Sequence, residues 1–338
     1  MANEVEKLNT IAIADIEKFN TFADSDIEKI NTLEFTGTHT NWLGAKGFLF
    51  GGYSGGASQA QIDTWNITSY GSVADFGDLG LDRQTRDGFS DKTTVGTFGG
   101  YSDSESYSNN IDYITAASYA QAEASSVIGH RAPQVVTNGT RAVRAGGGSA
   151  VTAMLTDSEY VTIASKDSGS DTGFDINSPG ARAGAAISNQ TYGVIHNGYD
   201  YASSAYLSEL QRFSITASSG TSDNFGDSQV DAYGTGGCED GSRGIMMGGT
   251  ASGGKINMIQ TVNIGGSGGA TDSGEDLSTA TSFGACVSDG TKGQFVSPSG
   301  DSNGIQQVTI QSLATATDPG DVTTTLSGRY FCGGASGT

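Results

Sequence analysis

The sequence predicts an all-β chain: six four-stranded antiparallel blades, with a short repetitive arm at the N-terminus. Three observations predict it. Glycine supplies 51 of 338 residues against only 4 prolines, so tight turns abound. An eight-residue strand pattern recurs at intervals of roughly 50 residues, the period of a repeat architecture. Around each copy, further short apolar or glycine-rich pieces recur in a fixed order.

The arm comes first. Residues 5–15 read VEKLNTIAIAD, 16–26 read IEKFNTFADSD and 27–37 read IEKINTLEFTG. The Asn-Thr pair in each unit suits a turn after a short apolar piece. An 11-residue period also fits a right-handed helical supercoil, with Val5/Leu8, Ile16/Phe19 and Ile27/Ile30 three apart. Threonine and β-branched residues disfavour a helix, so strand–turn units are the preferred reading. Units this small need partner surface, which makes residues 1–37 an expected attachment arm, with those six apolar residues as its contacts.

Residues 38–338 carry the second repeat. The pattern reads IDTWNITS at 62, IDYITAAS at 111, SEYVTIAS at 158, LQRFSITA at 210, IQTVNIGG at 259 and IQQVTIQS at 305. Its fourth positions are Trp65, Ile114, Val161, Phe213, Val262 and Val308, spaced by 49, 47, 52, 49 and 46 residues. Alternation in the second half of each copy marks a half-buried strand. A strand running into a glycine pair precedes each copy, as in GFLFGGY at 47 and VGTFGGY at 95, with RYFCGG at 329 as an unpaired extra. Before that strand comes another ending in Asn/Asp plus Gly, Gln or Lys, a hairpin turn. A fourth piece, such as ADFGD at 74 or NFGDS at 224, follows all copies but the second. Four short strands repeated six times make a six-bladed β-propeller, with seven blades as the alternative count. The extra strand near Arg329 is expected to pair with the sheet begun around Phe48 and close the ring.

The order strand, Asn/Asp-Gly turn, strand, Gly-Gly, loop, strand resembles the kelch repeat. Arg182, Gly184, Asn189, Asn197-Gly198 and Phe213 carry it in one unit, and Gly99, Gly100 and Tyr113 in another. Kelch repeats usually place a Trp in the outer strand, where this chain has Phe76, Phe174 and Phe225. The resemblance implies a blade architecture and no activity. Glycine-rich blades behind an I-E-K-x-N-x repeat also look like virion structural proteins of tailed bacteriophages, marine ones especially. That implies a virion location, other virion proteins as partners through the arm, and a homo-oligomer as a further option.

Composition narrows the function. The formal charge of −20 disfavours nucleic acid as a partner. No stretch suits a membrane span, and MANEVEKLNT lacks the apolar core of a signal peptide, so synthesis in a cytoplasm is expected. Cys238, Cys286 and Cys332 show no CxxC spacing and read as small buried hydrophobes. His39, His130 and His196 lie far apart, and no nucleophile, phosphate-loop or metalloprotease motif occurs, so no catalytic site, cofactor or metal is expected. Acid-rich loops from Asp167 and Ser299 do not match a calcium loop and read as solvated turns. The remaining candidates are tyrosines. Tyr53, Tyr101 and Tyr199 follow the glycine pair or its equivalent, with Tyr201 and Tyr206 in the next loop. They either gather on one rim, where rings stack on a host-surface sugar, or pack against the neighbouring blade. The expected function is therefore a non-enzymatic exterior virion protein for assembly, decoration or glycan recognition. A glycan-cleaving or oxidising propeller and an intracellular kelch adaptor are the rival classes.

Overall fold

The computed structural model describes residues 42–338 apart from 70–72, 86, 104–106, 149–153, 297–303 and 321–328, together with six two-residue strands between residues 7 and 34. Those strands settle the form of the arm. Lys7–Leu8 pairs with Ile11–Ala12, Lys18–Phe19 with Phe22–Ala23, and Lys29–Ile30 with Leu33–Glu34, all antiparallel. Each 11-residue unit is thus one small hairpin. Val5, Ile16 and Ile27 lie outside the described residues, while Leu8, Phe19 and Ile30 fall within the strands.

The rest is a six-bladed propeller. From the axis outward, blade 1 uses Gly333–Gly337, Lys46–Phe50, Gln61–Asn66 and Ala74–Asp78. Blade 2 uses Gly88–Ser90, Thr94–Gly100, Ser108–Thr115 and Gln121–His130. Blade 3 has Gln134–Thr137, Arg141–Ala145, Asp157–Thr162 and Ser170–Asp175, and blade 4 has Ala186–Ser188, Tyr192–His196, Glu209–Ser214 and Asp223–Asp227. Blade 5 comprises Gly236–Glu239, Arg243–Met247, Gly254–Asn263 and Thr271–Thr281. Blade 6 has Ala285–Ser288, Lys292–Val296 and Ile305–Thr309, with Thr317 bridging Gln307 at its outer edge. Each inner strand lies beside the inner strands of both neighbouring blades, which closes the ring. The expected clasp is present: Gly333–Gly337 pairs antiparallel with Lys46–Phe50. The second unit, whose text lacks the fourth marker, nonetheless has a ten-residue outer strand. Phe76, Phe174 and Phe225 all lie in outer strands.

The inner hairpins turn on a side chain. Asp91, Asn138, Asn189, Asp240 and Asp289 each accept hydrogen bonds from the backbone N–H groups two and three residues on, at 2.6–3.1 Å. At the other end of the second strand the chain must reverse, and Gly99 and Gly100 do so with φ of 50° and 123°.

Six apolar clusters fill the six gaps between blades. Trp65, Ile114, Val161, Phe213, Val262 and Val308 fall one in each cluster, always against the preceding blade. The first position of the pattern, such as Ile62 or Leu210, faces the following blade. One strand therefore feeds two interfaces, because successive side chains leave opposite faces. Cys238 is buried in the inner strand of blade 5 and Cys286 half-buried in that of blade 6; neither these nor Cys332 forms a disulfide. Cys286 is more accessible than a small buried hydrophobe should be.

The second position reads Asp63, Asp112, Glu159, Gln211, Gln260 and Gln306, all buried. These side chains grip the backbone at the end of the preceding blade's outer strand. Asp112 accepts from Gly80 N–H at 3.0 Å and Glu159 from Ile128 N–H at 3.2 Å. Gln211 accepts from Asn177 N–H at 2.6 Å, Gln260 from Gln229 at 2.7 Å and Gln306 from Thr279 at 3.2 Å. A second repeat position sets the charge. Arg83, His130 and Arg329 pair with Asp112, Glu159 and Asp63. Their equivalents facing the glutamines are Ala181, Ala232 and Thr281. Cation and acid occur together or not at all, as burial demands.

Asp112→Asn leaves the Arg83 guanidinium buried against a neutral amide, and should cost about 3–5 kcal/mol of unfolding free energy. Arg83→Met with Asp112→Gln gives blade 2 a neutral pair of the kind blades 4–6 use, and should recover most of that loss. Urea denaturation of the parent and both variants is the measurement. A double variant no more stable than the single would show that the two solutions are not interchangeable.

Candidate functional site at the mouths of the ring

The axial channel has two unlike mouths, because each inner strand begins and ends on different chemistry. Its far end presents one hydroxyl or carboxyl per blade: Ser90, Thr137, Ser188, Glu239, Ser288 and Ser336. Trp42, 1% exposed, closes this end, its indole N–H donating to Glu239 Oε1 at 3.4 Å. Ser188 donates to the same oxygen at 3.2 Å, and Ser288 to the Glu239 carbonyl at 2.7 Å. About 60 Å³ of space remains in the channel. Burial pushes the Glu239 carboxyl up to about 8, against the hydrogen bonds from Trp42 and Ser188, with Asp240 adding to the rise.

The near mouth is built from two repeat positions. One follows the glycine pair or its Asn197-Gly198 equivalent, and supplies Tyr53, Tyr101 and Tyr199. The other precedes the inner strand, and supplies Gln84, Arg131, Arg182, Tyr233 and Tyr330. Backbone bridges join the two: Tyr53 to Tyr330, Gln84 to Tyr101, Arg182 to Gly198 and Tyr233 to Thr250. The next residue turns inward in the left-handed region at Ala132, Ala183, Gly234, Phe283 and Phe331, with φ of 50–67°. Their amides link blade to blade around the axis: Ala183 N–H donates to Ala132, Gly234 to Ala183, Phe283 to Gly234 and Phe331 to Phe283, at 2.6–3.1 Å.

These two positions make a belt of rings. Tyr53 meets Tyr330 at 5.6 Å between centroids, Tyr330 meets Phe331 at 4.9 Å, and Phe331 meets Phe283 at 4.7 Å. Phe283 meets Tyr233 at 4.9 Å, and Tyr233 meets Tyr199 at 5.1 Å and Tyr206 at 5.4 Å. Tyr201 stacks on Tyr199 at 4.6 Å. Arg182 sits 4.0 Å from the Tyr201 ring, and Arg131 sits 4.4 Å from Tyr101, which touches Tyr107 at 6.1 Å. The belt surrounds a bowl of about 150 Å³. Burial raises the Tyr233 hydroxyl, with Tyr201, Tyr206 and Tyr199 adding to it.

All five tyrosines singled out from the sequence are half-buried on this mouth. Tyr199, Tyr201 and Tyr206 form one cluster, whereas Tyr53 and Tyr101 stand with other partners in blades 1 and 2. The sequence reading missed Tyr233, Phe283, Tyr330 and Phe331, and it read Arg182 only as part of a repeat pattern. The signal was a second ladder of equivalent positions, three or four residues ahead of each inner strand.

The remaining chemistry is structural. His196 is buried, its Nε2 2.8 Å from the Leu207 carbonyl, and burial lowers it to about 4. His130 is held low by burial beside Glu159. His39 and Ser299 lie outside the described residues, and the Asp167 carboxylate accepts from Thr162 N–H at 2.9 Å within its own turn. Among the described residues no group of three or more His, Cys, Asp or Glu side chains is placed to hold a metal ion, and no helix is long and apolar enough to cross a membrane. A scan against protein-family models finds no match, and a search of curated proteins finds none.

The Glu239 environment gives a pH dependence. The folded chain keeps a proton that the unfolded chain releases between about 4.5 and about 8. Stability should therefore fall as pH rises through that window, by on the order of a few kcal/mol. Glu239→Gln should flatten this slope and raise the melting temperature at pH 8. Thermal melts of both proteins from pH 4.5 to 8.5 are the check.

Proposed function

We propose that this chain is a non-enzymatic structural protein of a bacteriophage particle, displaying its propeller on the exterior to recognise a host-surface glycan. The observation that carries the recognition half is the belt of half-buried rings around one mouth. The rings are half-buried and meet edge-to-face or tilted, and sugars bind aromatic residues through ring faces and hydroxyls. The particle half rests on the resemblance carried by the I-E-K-x-N-x arm and the glycine-rich blades.

The mouths suit that division of labour. Trp42, the first residue described after the arm, lies at the far end of the channel, while the belt lies at the near end. The chain from the turn at Gly234 through the inner strand Gly236–Glu239 spans at most about 17 Å between them. A propeller held by its arm would thus turn its belt away from the particle.

Single sugar–ring stacks are weak, on the order of 1 kcal/mol, so many copies on one particle would supply the avidity. A multimerised parent should bind a subset of a glycan array. The triple variant Tyr53→Ala, Tyr101→Ala, Tyr199→Ala should fold and bind at least tenfold more weakly; equal binding by both, or none by the parent, would remove the recognition reading. Separately, a chain lacking residues 1–37 should melt as the parent does yet be missing from purified particles, as judged by mass spectrometry. A truncated chain that still incorporates would locate the attachment elsewhere.

A further inference from the structure

The bowl is asymmetric in charge. Arg131 and Arg182 occupy the same repeat position in adjoining units and line one side of it. Tyr233, Phe283 and Phe331 form the other side, and none of the lining residues is acidic. On a chain of net charge −20, two neighbouring cations at one small cavity are a local inversion of the surface. Arg182 is 1% exposed, and burial lowers it, with the Arg131 charge acting in the same direction against Tyr201. Each guanidinium lies over a ring, Arg131 over Tyr101 and Arg182 over Tyr201, which holds it at the wall of the bowl. A ligand carboxylate would answer both cations at once, since guanidinium matches carboxylate in a planar two-bond fork.

Size and the opposite wall narrow the ligand. A cavity of about 150 Å³ takes one six-membered ring such as benzene, and the bowl has that volume. The wall of Tyr233 and Phe283 favours a flat C–H face over an extended acidic side chain, which would leave these rings without a partner. We propose that the bowl binds a carboxylated sugar of the uronic acid class, its carboxylate on Arg131 and Arg182 and its ring against Tyr233 and Phe283. This deepens the glycan-recognition reading and rests on it. Gln84 and Thr85, also in the lining, supply hydrogen-bonding groups for ring hydroxyls.

Calorimetric titration of the full chain with methyl glucuronide, methyl glucoside and an acetylated, amidated diglutamate peptide tests it. The glucuronide should bind at least tenfold more tightly than the glucoside. Arg131→Gln, at a half-buried position, should erase that difference by weakening the glucuronide at least tenfold. Equal affinity for the two sugars overturns the carboxylate assignment and leaves glycan recognition standing. Binding of neither sugar overturns both. Preference for the peptide reassigns the bowl to acidic peptides and overturns the proposal. The comparison of the two sugars on the parent protein decides the matter even where the variant does not fold.

Discussion

Every blade presents one buried polar side chain, at the second position of its third strand, toward the blade before it. A propeller blade cannot bury both faces alone, so its stability lies in its interfaces. Apolar packing supplies area there but little registration, since hydrophobic contact is not directional. The carboxylate or amide at Asp63, Asp112, Glu159, Gln211, Gln260 and Gln306 adds direction. In five blades it accepts a specific backbone N–H of the preceding unit, fixing the angle at which the chain enters the next inner strand. Arg83 and Arg329, at one repeat position, answer Asp112 and Asp63; in blade 3 that position is His130, held low by burial, and Arg144, 3.2 Å away, supplies the cation for Glu159; facing the amides the position is uncharged. Glu159 shows the balance within one site. Burial pushes it up, yet His130 and Arg144 together hold it at about 2.

Because the grip sets the entry angle, it also sets what the mouth looks like. The residues between the cation position and the inner strand are forced into the left-handed region and carried to the axis. Small residues there, Ala132, Ala183 and Gly234, open one part of the bowl, while Phe283 and Phe331 wall the other. The six-fold scaffold thus carries an asymmetric site, with guanidiniums at the entries to blades 3 and 4 and rings at the entries to blades 5, 6 and 1. At the far mouth the pattern stays nearly uniform: five hydroxyls and a single carboxyl under the Trp42 indole.

Much of this was legible in the chain because repeats convert periodicity into geometry. The fourth position of the strand pattern marked six interfaces, and each of its residues lies in a different one. The tyrosines after the glycine pair lie on one mouth, as equivalence in a closed ring requires. The Asn-Thr units of the arm form hairpins. What escaped was text with little hydrophobic signal. The outer strand Gln121–His130 is largely polar and small, since an outermost strand covers little core. The buried Asp and Gln positions read as ordinary polar alternation, because sequence cannot distinguish a solvated carboxylate from one gripping a neighbouring blade. Arg131 and Arg182 come together only through the packing of consecutive blades, about 50 residues apart in the chain.

The innermost strand of blade 1, Gly333–Gly337, is supplied from the opposite end of the ring from its partner Lys46–Phe50. During synthesis, blade 1 must wait for nearly all the other blades before it is complete. Until then Lys46–Phe50 offers an unpaired and almost wholly apolar edge, the kind that templates aggregation. Blades 2 to 6 have no such debt, as each draws its described strands from consecutive sequence. A ribosome that stalls late would therefore release chains that are mostly folded yet adhesive at one place. Closure of the ring by Gly333–Gly337 covers that edge, and a net charge of −20 disfavours association of chains that have not yet closed.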